Sequence, residues 1–532
     1  MTVAVIGSGV SGVFAAHALA ARGFEVTILD VGETLDERRS AIVAKFRDLP
    51  PEQWPGEDHD LIRENATFVN GALPKKLHFG SDYIYANDRP FARLTTLVEG
   101  RAPFPTFAKG GFSNIWGAAV LTPDACDMAD WPVSRAEMEP YFRKVAQLMP
   151  VCGGAGTLSE SFPAYKDALG ELDPGPQGQA LLADLQRAEP YLRASNTLYG
   201  KARLAVHTAA GEGGVLPCNG CGQCFTGCVR GSIFSVIPLL DQMIRHQRVR
   251  YRAGIYVESI AESNDKVAIE CIDLRAQGRC SLSFDAVFVA AGPINTTRLL
   301  LRSRQLYDRA VRLKESQKFI VPMFRWRAAD TAIEHPAVTL ASVFLETKVA
   351  PLSDHWVHVQ VTPMNQTILD GSGLPAAAHT WGRRLWSPLL RRTMAAWCAL
   401  HSDHSSHVEL CLRGGSYGSP DVLEINLCVL SQARAAARLV ARDLFDKGRA
   451  FGTVFCYWMI KFANPGSGTH CGSSFPMKQN PRDRLDSDPL GRPFGWLRVF
   501  IVDSSVLPSI PGTTIGFPVM ANAYRIGSSA PI

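Results

Sequence analysis

The 532-residue chain has no dense run of lysine or arginine, and its 55 basic and 50 acidic side chains leave a formal net charge of only +5. Without a basic stripe there is no electrostatic footprint for a phosphate backbone, so nucleic acid is not an expected partner. No internal repeat and no linker of biased composition interrupts the chain, which argues against a solenoid or a string of tethered modules. A basic segment ahead of the first apolar stretch is missing too. VAVIGSGVSGVFAAHALAA begins at residue 3, too early for an export signal. The expectation is a soluble, cytoplasmic protein without a membrane span, its 13 cysteines mostly reduced thiols. Hydrophobic residues at 46% and charged residues at 20% describe an ordinary globular protein. Its length exceeds what a single core sustains, so two or more domains are expected.

What is present starts with TVAVIGSGVSGVFAAHALAARGFEVTILD, which reads as a strand, a helix and a second strand. Val3 to Ile6 form a short apolar run suited to a buried parallel strand. Gly7, Gly9 and Gly12 follow as G-x-G-x-x-G. The first permits the tight turn, the second lets backbone approach a pyrophosphate, and the third lets helix and strand pack closely. The helix start, with Ser11 in its first turn, offers unpaired N–H groups to phosphate. Asp30 closes the second strand, where a carboxylate accepts from a ribose 2′-hydroxyl and disfavours a 2′-phosphate. FAD or NAD is therefore expected rather than NADP.

Three further blocks follow. KGGFSNIWGAA (109–119) is a second glycine-rich loop, in which Gly110, Gly111 and Gly117 allow close backbone approach. Asn114 and Trp116 offer it a polar and an aromatic contact. FDAVFVAAGPINTTRLLLRS (284–303) reads as a strand, a turn at Ala291 and Gly292, and a helix. Near the end, LRVFIVDSSVLPSIPGTTIGFPVMANAYRIG gives a strand to Asp503, a Pro/Gly loop with Thr513 and Thr514, and a helix from about Phe517.

These blocks, in this order and together with HCGSSFPM, resemble the glucose–methanol–choline family of FAD oxidoreductases. The resemblance implies an α/β fold, with a Rossmann-like FAD-binding domain assembled from residues 1–125, 215–310 and 463–532. An α+β substrate domain on an antiparallel sheet would take residues 126–214 and 311–462. HWVHVQVTPM (355–364), HVELCLRG (407–414) and DVLEINLCVL (421–430) alternate like strands with one solvated face, and 431–448 reads as an amphipathic helix. The resemblance also implies FAD contacts at Gly7, Gly9, Ser11, Gly12, Asp30, Gly110, Gly111, Asn114, Trp116, Gly117, Val257, Ala291, Gly292, Asp503, Thr513 and Thr514. Some relatives tether FAD through a histidine in the second loop. Ile115 stands there, so FAD is expected to be held non-covalently.

Flavin oxidation of an alcohol needs a base near neutral pKa. The resemblance assigns that role to His470. The family's second catalytic position falls at Thr514, which hydrogen-bonds but cannot act as a base. The implied activity is oxidation of a CH–OH group of a polyol or sugar-like alcohol, with an aminoglycoside 6′-hydroxyl as a narrower case and oxygen or an electron carrier as acceptor. Cys218, Cys221, Cys224 and Cys228 complicate this, because C-x2-C-x2-C-x3-C is ferredoxin spacing. An iron–sulfur cluster, a structural zinc and a metal-free loop all remain open. With a cluster, the chain reads alternatively as an electron-transfer flavoprotein subunit; without activity, as a flavin-binding relative.

Overall fold

The computed structural model describes residues 1–63, 76–85, 95–97, 105–211, 214–371, 383–415 and 421–532. Its first sheet is parallel, with strands in the spatial order Val499–Ile501, Ala286–Val289, Thr2–Ile6, Glu25–Asp30, Val249–Ala253. The central strand is the first in the chain, and the order reverses on either side of it. That reversal opens a crevice at the strands' carboxyl ends, where doubly wound sheets bind dinucleotides. Val3, Ala4 and Val5 are fully buried, as a strand covered on both faces requires. The Val10–Ala21 helix packs against one face, and the C-terminal helix Gly516–Ser529 lies against it. Gly527 permits the approach, since a Cβ there would sit 2.8 Å from the Ala15 carbonyl.

A three-stranded antiparallel meander, Ile255–Glu262, Val267–Asp273 and Gly278–Phe284, is inserted before the fourth parallel strand. The largest sheet is antiparallel and runs Thr453–Phe455, Lys318–Arg325, Thr393–Ala399, Ser353–Pro363, Val343–Val349, Thr197–Lys201, with Lys461–Phe462 beside the second of these. A further sheet orders Cys471–Gly472, Ala310–Glu315, His407–Arg413, Val422–Cys428 and Thr95–Leu97. The expected α/β class, a parallel Rossmann-like sheet beside separate antiparallel sheets, is what the chain adopts.

Two expectations change in detail. The last parallel strand stops at Ile501, short of Asp503. Asp503 leaves the strand because its carboxylate caps the next turn, accepting from the Ser505 N–H at 2.9 Å. The Ser353–Pro363 strand has no solvated face. Val357, Val359 and Val361 pack under the helices Gly175–Arg187 and Ser431–Gly448. The opposite, polar row is enclosed as well, with His358 1% and Thr362 4% exposed. From that row, Gln360 reaches the interior cavity described next.

Candidate active site

One elongated cavity of about 290 Å³ runs along the carboxyl ends of the parallel strands and reaches the antiparallel sheet. At its nucleotide end the glycines divide their work. Gly7 has φ of 102°, and a Cβ on it would lie 2.5 Å from the Ala290 carbonyl oxygen. A Cβ on Gly12 would lie 2.0 Å from the Gly7 oxygen, so this glycine serves helix–strand packing and is absent from the cavity wall. Gly9, Gly117 and Gly292 line the cavity, and a Cβ on any of them would meet no protein atom within 4 Å. At Gly9 and Gly117 only something in the cavity would notice it, whereas at Gly292 φ of 82° disfavours a side chain in any case. The helix that Gly9 caps has no side-chain cap and no acidic residue in its first turn, so its N–H groups and dipole are left for an anion.

Asp30 lines the same end. Its Oδ2 accepts from the Ser8 hydroxyl and from the Tyr251 hydroxyl at 3.0 Å, and burial pushes its carboxyl up to about 6. The Ser8 hydroxyl in turn accepts from the Gly110 N–H at 3.0 Å, which ties the first motif to the second loop. Gly110 itself adopts φ of 78° and stays off the cavity wall, whereas Gly111, Trp116 and Gly117 are on it. Asn114 also lies off the wall. Its amide donates to the Lys109 and Gly111 carbonyls at 2.9 Å, holding its own loop. Trp116 donates to the Phe234 carbonyl at 2.7 Å. Ile115 packs its side chain with the Tyr83–Tyr85 turn.

Ser11, Val257, Ala291, Gly292 and Asp503 are further expected contacts found on the wall. The Asp503 carboxylate accepts from the Gly292 N–H at 2.9 Å and the Thr296 hydroxyl at 2.5 Å, joining two distant blocks. Burial raises its pKa. Thr513 is fully buried away from the wall, with no partner for its hydroxyl. Thr514 is on the wall, but its hydroxyl is engaged: it accepts from the Leu121 N–H at 2.9 Å and donates to the Leu121 carbonyl at 3.2 Å. Thr514 latches two segments together.

His470 forms the other end of the cavity. It follows Thr469, whose φ of 55° is an outlier for a β-branched residue, so the turn that aims the ring is strained. The His470 carbonyl accepts from the Ser316 N–H at 2.9 Å, and Cys471 then pairs with Glu315. Its Nδ1 is enclosed without a hydrogen-bond partner. Burial first, then the positive charge of Lys318, hold the imidazole well below its ordinary pKa, so the ring is neutral. Sequence reasoning missed two neighbours on this wall, Lys318 and Gln360. Lys318 donates to the Gly468 carbonyl at 3.2 Å, and burial lowers its ammonium to about 8. Glu315, buried nearby, is raised to about 8 and accepts from the Gly466 N–H. A polar residue at every second position of an otherwise apolar strand was the available signal for Gln360.

Cys218, Cys221, Cys224 and Cys228 share a separate cavity of about 20 Å³, room for about one water. No three of their sulfurs lie within 4.8 Å of one another, whereas tetrahedral zinc with Zn–S of about 2.3 Å needs separations near 3.8 Å. Burial pushes the Cys218 thiol up to about 11 and Cys221 to about 12. As arranged, the sulfurs are too widely spaced to share one tetrahedral zinc. Among the described residues, no helix is long and apolar enough to cross a membrane.

Comparison with known proteins agrees with this architecture. Residues 5–35 match the family of NAD(P)-binding Rossmann-like domains. No curated protein matches the sequence. The crystal structure of pyridoxine 4-oxidase from Mesorbium loti superposes with a TM-score of 0.59 at 12% sequence identity, covering 99% of this chain and 98% of that one. At that identity the likeness establishes a shared fold over nearly the whole of both chains.

Proposed function

We propose that this chain is an FAD-dependent alcohol oxidoreductase of the glucose–methanol–choline type. The observation that carries the reading is the continuity of the cavity: a dinucleotide cradle and a neutral, partly enclosed histidine line one space. The shared fold with an oxidase is consistent with it. The residues fit FAD, because Gly9, Gly117 and Gly292 leave room that side chains would fill and Asp30 closes the ribose end. With Ile115 turned into the fold and no histidine other than His470 on the wall among the described residues, the cofactor is held non-covalently. The FAD-binding part comprises 1–125, 215–310 and 463–532, and the substrate part comprises 126–214 and 311–462. The thiols, none of them in a disulfide, suit a cytoplasmic location.

When bound, FAD supplies the two-electron acceptor that takes hydride from the alcohol carbon. The chain does the rest. Helix N–H groups after Gly9 would hold the pyrophosphate. His470, neutral at working pH, takes the hydroxyl proton of a polyol or sugar-like alcohol, of which an aminoglycoside 6′-hydroxyl is one case. Lys318 opposes protonation of His470 in the resting state and stabilises the alkoxide as it develops. Oxygen or an electron carrier is the terminal acceptor.

The test is anaerobic. Purified protein should release FAD on heating, and polyols should bleach the flavin of the intact protein. Flavin left on the precipitated chain refutes non-covalent binding. Bleaching by reduced nicotinamides and by no alcohol refutes the reaction.

A further inference from the structure

Glu346 and His358 are directly opposite each other on the paired strands Val343–Val349 and Ser353–Pro363. Both are enclosed, at 0% and 1% exposure. His358 Nδ1 lies 2.5 Å from Glu346 Oε1, and His358 Nε2 lies 2.9 Å from Gln360 Nε2. A carboxylate accepts and an amide nitrogen donates, so only one assignment of the ring satisfies both contacts. Nδ1–H donates to Glu346, leaving Nε2 to accept one hydrogen of the Gln360 amide. The ring edge also meets Phe344, centroids 4.7 Å apart, which restricts its rotation.

The consequence lies at Gln360, on the cavity wall with His470 and Lys318. With one amide hydrogen fixed, its plane is fixed. Its Oε1 and its second amide hydrogen have no protein partner among the described residues. They form an oriented acceptor and donor side by side. We infer that Gln360, locked by Glu346 and His358, recognises a hydroxyl or amine on the carbon next to the one being oxidised, so the substrate is a vicinal diol or amino alcohol. The inference rests on the alcohol-oxidation reading and adds its substrate class. Glu346 and His358 are positioning residues, because they act through Gln360.

The experiment pairs each vicinal diol with its mono-alcohol, a hexitol with hexan-1-ol and propane-1,2-diol with propan-1-ol, and follows flavin bleaching of the holoenzyme. Wild type should prefer the diol. In Gln360→Leu the ratio of kcat/KM for diol over mono-alcohol should fall by about 5- to 150-fold, the loss of one or two satisfied hydrogen bonds, mostly through KM. Glu346→Gln should shift the ratio the same way by less, because a neutral amide no longer dictates the His358 tautomer. FAD content of each variant controls for folding. A wild type without diol preference, or a ratio unchanged in Gln360→Leu, overturns the inference while leaving alcohol oxidation standing. If no alcohol bleaches wild type, the reaction itself is wrong and this falls with it.

Discussion

Gly9 and Gly12 belong to one motif yet should fail in opposite ways when each becomes alanine. At Gly9 the backbone has φ of −64° and ψ of 178°, ordinary extended values that alanine adopts without strain. Its new Cβ meets no protein atom within 4 Å. Gly9→Ala should therefore leave the flavin-free fold intact, and restricting the unfolded chain adds about 0.4–1 kcal/mol of stability. The same methyl would occupy the path of the pyrophosphate. Wild type with free FAD at 100 times its Kd gains about 2.7 kcal/mol, and Gly9→Ala should lose nearly all of that gain. At Gly12 a Cβ would stand 2.0 Å from the Gly7 carbonyl oxygen, backbone against backbone, so Gly12→Ala should destabilise the fold with or without flavin. The assay is thermal unfolding of deflavinated protein across an FAD titration. A Gly9→Ala protein that binds and is stabilised by FAD like wild type would falsify placement of the pyrophosphate over this turn. A stable Gly12→Ala would contradict the packing argument.

His470→Ala should still bind FAD but slow its reduction by about 10²–10⁴-fold, or about 3–5 kcal/mol, with partial recovery at high pH. Thr514→Ala should lower Tm, because two contacts to Leu121 vanish; a Tm equal to wild type with reduction abolished would instead make Thr514 a direct participant. His355 and His401 stack with ring centroids 3.7 Å apart, the first 3.3 Å from Asp127 and 3.5 Å from Asp403. The two carboxylates raise His355 to about 9, so its contribution is complete below about 6.5 and is lost as pH rises through 9. Burial, then the His355 charge, lowers His401 to about 4, so its contribution holds above about 6.5 and is lost as pH falls through 4. His355→Gln should flatten the alkaline limb of a Tm–pH profile and, by removing the charge that helps lower His401, soften the acid limb as well; an unchanged alkaline limb sinks the assignment. Cys221→Ser with Cys224→Ser should keep full FAD loading, and elemental analysis of wild type should find neither zinc nor iron in stoichiometric amount.

The cradle was legible because backbone sterics dictate it locally. Gly7, Gly12 and the strand before them sit within a dozen residues, and each has one physical reason to be what it is. Asp30 was legible for the same reason, but its partner Tyr251 was not, since nothing in a sequence joins positions 221 apart. The partner of Thr514 was hidden on that ground too: its hydroxyl, on the cavity wall, is engaged by Leu121, 393 residues away. The solvated face assigned to 355–364 has a different origin. Period-two alternation reports that one row of a strand is polar, and the usual inference is that water covers it. Here the polar row of Ser353–Pro363 stays inside the fold, with Gln360 on the cavity wall, while the valine row packs under two helices. A buried polar row has to find partners. Along this strand His358 finds Glu346, and Gln360 is left with an acceptor and a donor facing the space beside His470. A pattern that resembles a surface strand is therefore the sequence trace of a strand whose polar row is enclosed by protein and reaches the cavity at Gln360.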